Sequence, residues 1–241
     1  MPAMLGIVIP VHNEEVWLAS CLQAVLKAAA SPKLRDEMVH TLVVLDSCTD
    51  DSACIAASFG VQTLTVQARN VGIARATGAQ RCLDMGARWL AFTDADTLVS
   101  PDWLADQLDQ CSDAVCGTVA VNDWSGHAPQ LALHFKTSYN DAHGHRHIHG
   151  ANLGVSAQAY RDAGGFPPLA CSEDVALVTA IIQMGHSLQL QTVAEGVETP
   201  EQIALLQRLG CDVAQGHGLS LPMDATQATA WLQARALPQA V

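Results

Sequence analysis

The segment 88-RWLAFTDADT-97 places a short apolar run, typical of a buried β-strand, directly before two carboxylates. Three further apolar runs precede it, and each is followed by a stretch with apolar residues at helical spacing. Strands that alternate with helices of about ten to fifteen residues are typical of βαβ units. The sequence therefore predicts an α/β fold, with a mostly parallel sheet flanked by helices.

The polar residues that end these strands are the first candidates for a functional site, because ligands of parallel sheets bind at the carboxyl ends of the strands. The other predicted strands are 5-LGIVIPV-11, 38-MVHTLVVLD-46 and 61-VQTLTV-66. The candidates are His12, Asn13, Glu14, Asp46, Asn70, Asp94 and Asp96. Ser100 and Pro101 predict the start of the next helix, as N-cap and first helical residue.

The charge of the 241-residue chain restricts its partners. Acidic residues outnumber basic ones 24 to 12, which gives a net charge of −12. A protein of this charge is not expected to hold nucleic acid or an anionic membrane through a broad basic face. A small anionic substrate stays possible, because a bound divalent cation reverses the local sign of charge.

The N-terminus and the cysteines predict a cytoplasmic protein without a transmembrane segment. The N-terminal residues lack the pattern of a secretory signal. The apolar stretch Leu5–Val11 is too short to span a bilayer. Eight cysteines are scattered singly, without a CxxC pair, which favours reduced thiols over disulfides or a zinc site.

Asp94 and Asp96 form an Asp-x-Asp motif at the end of the fourth predicted strand. Two carboxylates at a strand end can share one hard cation, Mg²⁺ or Mn²⁺, which keeps other positions for water and substrate phosphates. The motif alone is not specific, since acidic pairs at strand ends also stay solvated or cap helices.

Six blocks in one order make the function more specific. They are 7-IVIPVHNEE-15, 43-VVLDSCTDDS-52, 68-ARNVGIARATGA-79, 92-FTDADT-97, 150-GANLGVSAQAYRDAGGF-166 and 172-SEDVALV-178. Over residues 4–178 this succession resembles the family 2 glycosyltransferases, which have the Rossmann-like GT-A fold. The resemblance implies an enzyme that moves a sugar from a nucleotide-diphosphate donor to an acceptor hydroxyl, with inversion at the anomeric carbon.

The resemblance also implies roles for individual residues. The nucleotide base and ribose would be held by Pro10, Val11, Asn13, Glu14 and Asp46, and the block with Gly72 and Arg75 would approach the base and phosphates. Asp94 and Asp96 would form the metal motif, with Asp96 the direct ligand, and Asp174 would be the catalytic base. The acceptor side would contain His149, Gly150, Asn152 and Glu173. Leu45 stands where the family usually has a second aspartate, which leaves the identity of the base open.

The chemistry independently requires two separate carboxylates. A divalent cation neutralises the diphosphate as it leaves. A carboxylate on the opposite face takes the proton of the attacking hydroxyl. Asp96 and Asp174 can supply these two groups. Outside the family context, Glu173 and Asp174 would instead be ordinary acids in the first turn of a helix.

Four alternating histidines, at positions 143, 145, 147 and 149, would lie on one face of an extended segment. Three interpretations stay open: a polar strand near the acceptor cleft, contacts to donor or acceptor, and a transition-metal site. His149, beside Gly150, is the histidine with the strongest expectation of a functional role.

The C-terminal part has a different character. The segment 188-LQLQTVAEGVETPEQIALLQRLGCDVAQG-216 predicts a strand, a helix and a second strand, and Thr199 and Gln202 have the spacing of a capping box. Residues 177–234 resemble the end of the barrel in EAL cyclic di-GMP phosphodiesterases, with Glu195 and Gln215 at motif positions. The EAL motif, the strand-five Asp-Asp pair and the strand-six lysine are missing, so a phosphodiesterase is not expected.

We therefore expect a transferase-like domain at residues 1–178 and an EAL-derived βαβα segment at 179–241, joined inside one helix and packed as one unit. In this hypothesis 187-SLQLQTVA-194 imitates a transferase strand. The alternatives are a catalytically inactive relic that binds a nucleotide diphosphate and a cyclic di-GMP binder. A recombination or assembly artefact would leave the same trace in the sequence.

Overall fold

A six-stranded sheet forms the centre of the computed structural model, with strand order β3-β2-β1-β4-β6-β5. The structure describes residues 4–35, 37–121, 148–194 and 199–215, and the isolated residues 124, 130, 133, 197, 219, 226 and 227. Four neighbouring strands are parallel: β1 (Met4–Val11), β2 (Met38–Asp46), β3 (Gln62–Val66) and β4 (Ala87–Phe92). β5 (Ala114–Cys116) and β6 (Leu153–Ser156) complete one edge, with β6 antiparallel to both neighbours.

Helices connect the parallel strands, as the alternating pattern predicts. The helices of this part are α1 (Leu18–Ala29), α2 (Ser52–Ser58), α3 (Val71–Asp84), α4 (Trp103–Asp109), α5 (Ala157–Asp162) and α6 (Glu173–Ser187). Short 3-10 turns occur at Pro32–Leu34 and Gly150–Asn152. The predicted α/β fold with a mostly parallel sheet is confirmed.

The core lies on both faces of the sheet, which explains why β1 is apolar along almost its whole length. Leu5, Ile7 and Ile9 face one hydrophobic cluster, while Met4 and Val8 face the other. α1 covers the first face with buried residues at helical spacing: Leu18, Cys21, Leu22, Val25 and Ala28. A strand buried on both sides must carry a continuous apolar run.

α3 covers the second face and lies close to the sheet at Gly78. A Cβ atom at this position would lie 2.4 Å from Val8 Cγ1 and 2.9 Å from Val44 Cγ2. Only glycine allows this approach without displacement of the two valines. The contact fixes the height of α3 above β1 and β2.

Two element boundaries differ from the sequence-based expectation. The fourth helix begins at Trp103 with Asp102 as N-cap residue, two residues later than Ser100 and Pro101 predict. The N–H of Trp103 donates to the carbonyl of Ser100, so residues 100–103 form a turn before the helix. The segment 187–194 is extended only at β7 (Val193–Ala194), because α6 continues through Ser187.

The described residues form two compact units, and the second contains those from Gln191 onward together with residues 130 and 133. In the second unit β7 pairs in parallel with β8 (Val213–Ala214), and α7 (Pro200–Leu209) connects them. The capping box predicted at Thr199 and Gln202 is confirmed. Glu195, and most of the predicted final helix, lie outside the described residues.

All eight cysteines are free thiols, in agreement with the absence of a predicted disulfide framework. Within the described part of the chain, no helix has both the length and the apolar character that crossing a bilayer requires.

Candidate active site

The candidate site lies along the carboxyl edge of the sheet, where consecutive strands each contribute polar groups. Asp46 ends β2, His12 follows β1, Asp94 and Asp96 follow β4, and Gly150 precedes β6. Since neighbouring strands lie about 4.8 Å apart, this order spreads the groups along one line. They enclose a cavity of about 570 Å³. The cavity is lined by Pro10, Val11, His12, Glu14, Asp46, Arg69, Asn70, Val71, Ala74, Arg75, Asp94, Ala95, Asp96, His149, Gly150, Ala151, Glu173 and Asp174.

The carboxylate of Asp46 is hydrogen-bonded to the loop that follows β3. Its side chain accepts hydrogen bonds from the backbone N–H groups of Ala68 (2.7 Å), Arg69 (2.8 Å) and Asn70 (2.7 Å), and from the Ser47 hydroxyl (2.9 Å). Burial alone would raise the pKa of Asp46, but these four donors outweigh it and lower the pKa. Asp46 is only 3% exposed, so its carboxylate chiefly organises the cavity wall.

Hydrogen bonds connect the turn after β1 to the loop after β2. Asn13, with a φ of +59°, accepts hydrogen bonds through Oδ1 from the N–H of Thr49, at 2.7 Å, and from its hydroxyl. The N–H of Glu14 donates to the Ser52 hydroxyl at 3.0 Å. Asn13 is not among the residues that line the cavity. Its side chain positions the turn from outside the cavity.

His12 has a fixed tautomer in its neutral form. Its Nδ1 lies 2.6 Å from the carbonyl oxygen of Asp46. A carbonyl oxygen only accepts hydrogen bonds, so Nδ1 carries the proton and Nε2 is a free acceptor. The side chain is exposed and lines the cavity. The sequence marks His12 as a polar residue at a strand end, inside the Pro10–Glu14 turn that the resemblance assigns to the nucleotide.

Arg75 is buried between two carboxylates. One guanidinium nitrogen, Nη1, pairs with Oε1 of Glu173, and Nη2 pairs with Oδ1 of Asp94. Arg75 is 3% exposed and Glu173 is 2% exposed. A buried charge requires a partner, and Arg75 neutralises the inner face of the site. The side chain therefore links β4, which carries the Asp-x-Asp motif, to the start of α6.

The 3-10 turn before β6 packs on this ion pair. A Cβ atom at Gly150 would lie 2.4 Å from Cζ of Arg75, so only glycine permits the guanidinium to lie against this backbone. Asn152 accepts from the indole N–H of Trp103 at 2.8 Å and donates to the carbonyl of Thr118 at 2.9 Å. Asn152 lies outside the cavity lining and fixes the turn from behind.

Asp174 lies in the first turn of α6 and faces the cavity. Its Oδ2 accepts the N–H of Gly150 at 2.7 Å, and Oδ1 accepts the N–H of Val175 at 2.8 Å. The preceding residue, Ser172, has a φ of +60° and makes no side-chain cap. The two backbone donors hold the carboxylate in one orientation, half-exposed at the β6 end of the cavity.

Acidic groups dominate the middle of the cavity. Burial raises the pKa of Asp94, and Asp96 and Asp174 raise it further, against the lowering effect of Arg75. Burial, Asp96, Asp50 and Asp94 raise the pKa of Glu14. These shifts indicate a negative potential that the protein only partly neutralises.

The carboxylates in the middle of the cavity are suitable ligands for a magnesium or manganese ion. Asp96 is exposed and receives only a long contact, 3.4 Å, from the Thr97 hydroxyl. Among the described residues, no group of three or more metal-ligating side chains is preassembled. Mg²⁺ sites of this kind use one or two carboxylates and complete their coordination with substrate phosphates and water.

The N-terminus of α3 is closed by the loop before α6. Asn70 caps α3 through Oδ1, which accepts the N–H of Ile73 at 3.0 Å, and donates to the carbonyl of Pro168 at 3.1 Å. The N–H of Gly72 donates to the carbonyl of Leu169 at 3.1 Å. A Cβ atom at Gly72 would lie 2.3 Å from the Pro167 carbonyl oxygen. Gly72 thus permits a close backbone contact, and it lies outside the cavity lining.

We expect Gly72→Ala to lower the free energy of unfolding by about 1–3 kcal/mol, as overpacking does. The new methyl group meets backbone carbonyls, which cannot rotate away, and pushes the segment before Asp174 outward. The measurement is urea unfolding together with nucleotide binding. Gly78→Ala is the matched control, since it also overpacks α3 but does so against Val8 and Val44. Equal effects of both variants on nucleotide binding would contradict a specific link from Gly72 to the site.

His149 is the member of the alternating histidine set that the structure describes. It lines the cavity beside Gly150, and burial lowers its pKa, against the opposite effects of Asp174 and Asp94. A lowered pKa favours the neutral imidazole. His143, His145 and His147 lie outside the described residues.

Most of the site residues predicted from the sequence lie together in the cavity lining. They are Pro10, Val11, Glu14, Asp46, Arg75, Asp94, Asp96, His149, Gly150, Glu173 and Asp174. Asn13, Gly72 and Asn152 lie outside the lining, and each directly follows a lining residue in the chain. His12 lies inside the Pro10–Glu14 turn that the resemblance assigns to the base and ribose, Asn70 was a strand-end candidate without an assigned role, and Arg69 was missed. Arg69 has a φ of +48° in the loop after β3, and the sequence carries no signal for that conformation.

The fold is of the GT-A type. The family profile described as "Glycosyl transferase family 2" matches residues 6–162, which is more than half of the chain. The chain belongs to this family.

Solved structures have the same fold. TarS of S. aureus superposes with a TM-score of 0.57 at 16% identity, over 76% of this chain and 34% of that one. The mannosyltransferase PcManGT from Pyrobaculum calidifontis gives a TM-score of 0.57 at 20% identity, over 77% of this chain and 53% of that one. At these identities the likeness concerns the fold. The chain spans only about a third of TarS.

The C-terminal part matches a second family. The profile described as "EAL domain" matches residues 167–222. The bifunctional diguanylate cyclase/cyclic di-GMP phosphodiesterase MucR of Pseudomonas aeruginosa is 52% identical over 56 residues, which are 23% of this chain and 8% of MucR. The predicted double resemblance is confirmed. The match to MucR covers a small part of that protein, and the described residues of this part form the βαβ unit of β7, α7 and β8.

Proposed function

We propose that the chain is an inverting glycosyltransferase that uses a nucleotide-diphosphate sugar and a divalent cation, Mg²⁺ or Mn²⁺. The observation that carries this proposal is that Asp96, which follows β4, and Asp174, which binds the turn before β6, line one cavity. A displacement at an anomeric carbon needs a cation near the leaving group and a base near the attacking group. Solved relatives support the donor class, since TarS forms a complex with UDP-GlcNAc and PcManGT forms one with GDP-Man and Mn²⁺.

In the proposed reaction Asp174 acts as the general base. The acceptor oxygen forms a bond to the anomeric carbon while the bond from that carbon to the diphosphate oxygen breaks. The hydroxyl proton passes to the Asp174 carboxylate, and the nucleoside diphosphate leaves with the electron pair of the broken bond. Gly150 and Val175 orient the carboxylate through their N–H groups. Attack from the face opposite the leaving group gives inversion.

Asp96 and Asp94 would hold the cation, with Asp96 as the direct ligand and Asp94 tied to Arg75. The bound cation supplies charge neutralisation for the diphosphate as it leaves. Glu14 adds to the negative potential at the same point, and its raised pKa reflects both its burial and the proximity of Asp96. A site with this surplus of carboxylates binds an anionic diphosphate only together with a cation.

A thermal melt tests donor binding directly. We expect UDP or GDP to raise the midpoint in the presence of Mn²⁺ and to have little effect without it, because a ligand of the native state stabilises it. Asp96→Asn should remove the shift caused by the nucleotide with Mn²⁺. Asp109→Asn, at the exposed end of α4, is the matched control and should keep the full shift. A cooperative melt that no nucleoside diphosphate shifts would contradict the proposed function.

We also propose that residues 1–178 contain the whole transferase site and that the EAL-derived segment, residues 179–241, adds no chemistry. Among the residues that the structure describes, those that line the cavity all lie between Pro10 and Asp174. The phosphodiesterase motifs that would complete an EAL site are absent from the sequence. Cyclic di-GMP is therefore expected to leave the midpoint of thermal unfolding unchanged.

A further inference from the structure

We infer that His12 reads the nucleotide base and selects bases with a ring N–H group, which are uracil and guanine rather than cytosine and adenine. The inference rests on the proposed function, because it assigns the base of the same donor. The observation behind it is the free Nε2 acceptor of His12 in the cavity, held in place by the bond between Nδ1 and the Asp46 carbonyl.

The order of groups along the sheet edge places the base. From β2 to β6 the edge presents Asp46, then His12, then Asp94 and Asp96, and finally Gly150 with Asp174. The diphosphate belongs at the cation carboxylates after β4, and the transferred sugar belongs on the side of Asp174. The nucleoside is attached to the other end of the diphosphate. It therefore extends toward the ends of β1 and β2, where His12 lies.

Most other polar side chains at this end are occupied or of the wrong kind. Asp46 already accepts four hydrogen bonds and is 3% exposed. Asn70 accepts from Ile73 and donates to Pro168. Arg69 can only donate. Leu45 stands directly before Asp46 and offers no polar group. Glu14, two residues further along the same turn, also lines the cavity and is the competing acceptor. Nε2 of His12 differs from it because the bond from Nδ1 to the Asp46 carbonyl holds the ring in one orientation.

The chemistry of the four bases then determines the preference. Uracil has an N–H at ring position 3 and guanine has one at ring position 1. The corresponding ring nitrogens of cytosine and adenine are acceptors, which would face the lone pair of Nε2. An acceptor opposed to an acceptor leaves both groups without a hydrogen bond.

The test is isothermal titration with UDP, CDP, GDP and ADP in the presence of Mn²⁺. UDP is compared with CDP, and GDP with ADP. The bases in each pair have the same ring size and carry the same diphosphate, so the contribution of the cation to the affinity cancels within a pair. We expect the better of UDP and GDP to bind about 3–10-fold more tightly than its partner, which is the net effect of one hydrogen bond at an exposed side chain. Whether UDP or GDP is the stronger ligand identifies the base.

The variant His12→Phe keeps an aromatic ring but removes the acceptor. It should reduce the difference in affinity between UDP and CDP, or between GDP and ADP, to about twofold or less, mainly because UDP or GDP binds more weakly. His40→Phe is the matched control, because His40 lies at the opposite end of β2, bonded to Gln62, and its loss should leave the preference intact. Glu14→Gln tests the other acceptor in the cavity.

The outcomes separate the two proposals. Absence of binding by all four nucleotides would overturn the proposed function and this inference with it. Binding without a preference within either pair, a preference that persists in His12→Phe, or a preference lost only in Glu14→Gln would overturn the role of His12 and leave the transferase proposal standing.

Discussion

Asp174→Asn is expected to reduce turnover about 10²–10⁴-fold, which is the usual contribution of a general base. Asparagine has nearly the same shape, and its amide oxygen can still accept the N–H of Gly150. It cannot take a proton from an acceptor hydroxyl at neutral pH. The loss should therefore appear in the rate, while affinity for the nucleoside diphosphate stays within about twofold, because the proposed reaction places Asp174 at the acceptor hydroxyl.

The measurement is release of nucleoside diphosphate from UDP-glucose, UDP-GlcNAc and GDP-mannose with Mn²⁺, where water serves as the acceptor. Asp84→Asn, at the exposed end of α3, is the control and should retain full turnover. A fully active Asp174→Asn variant would show that another group takes the proton. Nucleotide binding by a wild-type chain that releases no diphosphate from any donor would instead favour the inactive relic.

Arg75→Met is expected to have the largest effect on stability, a loss of about 3–5 kcal/mol, because it leaves the buried carboxylate of Glu173 without a partner. Folded domains have only about 5–15 kcal/mol of stability, so this is a large share. Glu173 is 2% exposed and cannot recover its lost partner by hydration. Asp94, with 38% of its side chain exposed, can.

Urea unfolding measures this loss, with Arg81→Met on the exposed face of α3 as the control. Adding Glu173→Gln to Arg75→Met should restore part of the stability, since the uncompensated charge is then gone. Arg75→Lys should be intermediate, because a single ammonium group cannot reproduce a planar guanidinium that pairs with two carboxylates. A loss below about 1 kcal/mol in Arg75→Met would show that the ion pair does not form.

The sheet and its functional edge can be predicted from the sequence because they depend on local patterns. Continuous apolar runs such as Ile7–Ile9 indicate strands buried on both faces, and parallel strands bring their carboxyl ends together. The parallel direction of the strands is therefore enough to place Asp94 and Asp96, which follow β4, at the same edge as Asp46 and the turn at Asn13.

The roles of individual side chains within the site could not be predicted in the same way. Arg75 and Glu173 are 98 positions apart, and only the packing of α3 against the start of α6 makes them an ion pair. Asp46 has the same sequence context as a ligand-binding carboxylate, yet four donors already occupy it. The number of hydrogen bonds at a carboxylate depends on tertiary structure, and a linear pattern does not contain it.

The EAL match begins at residue 167 and so includes Asp174, although the match to the glycosyl transferase family ends at residue 162. Glu173 and Asp174 occupy the first turn of α6, and the first buried apolar residue of the helix, Leu177, comes one turn later. Beyond its first turn, a helix is constrained chiefly by the register of its buried face. A foreign sequence can therefore replace the chain beyond Leu177 and leave both carboxylates, Arg75 and the Gly150 contact in place. In genealogical terms, the proposed site needs transferase ancestry no further along the chain than the first turn of α6.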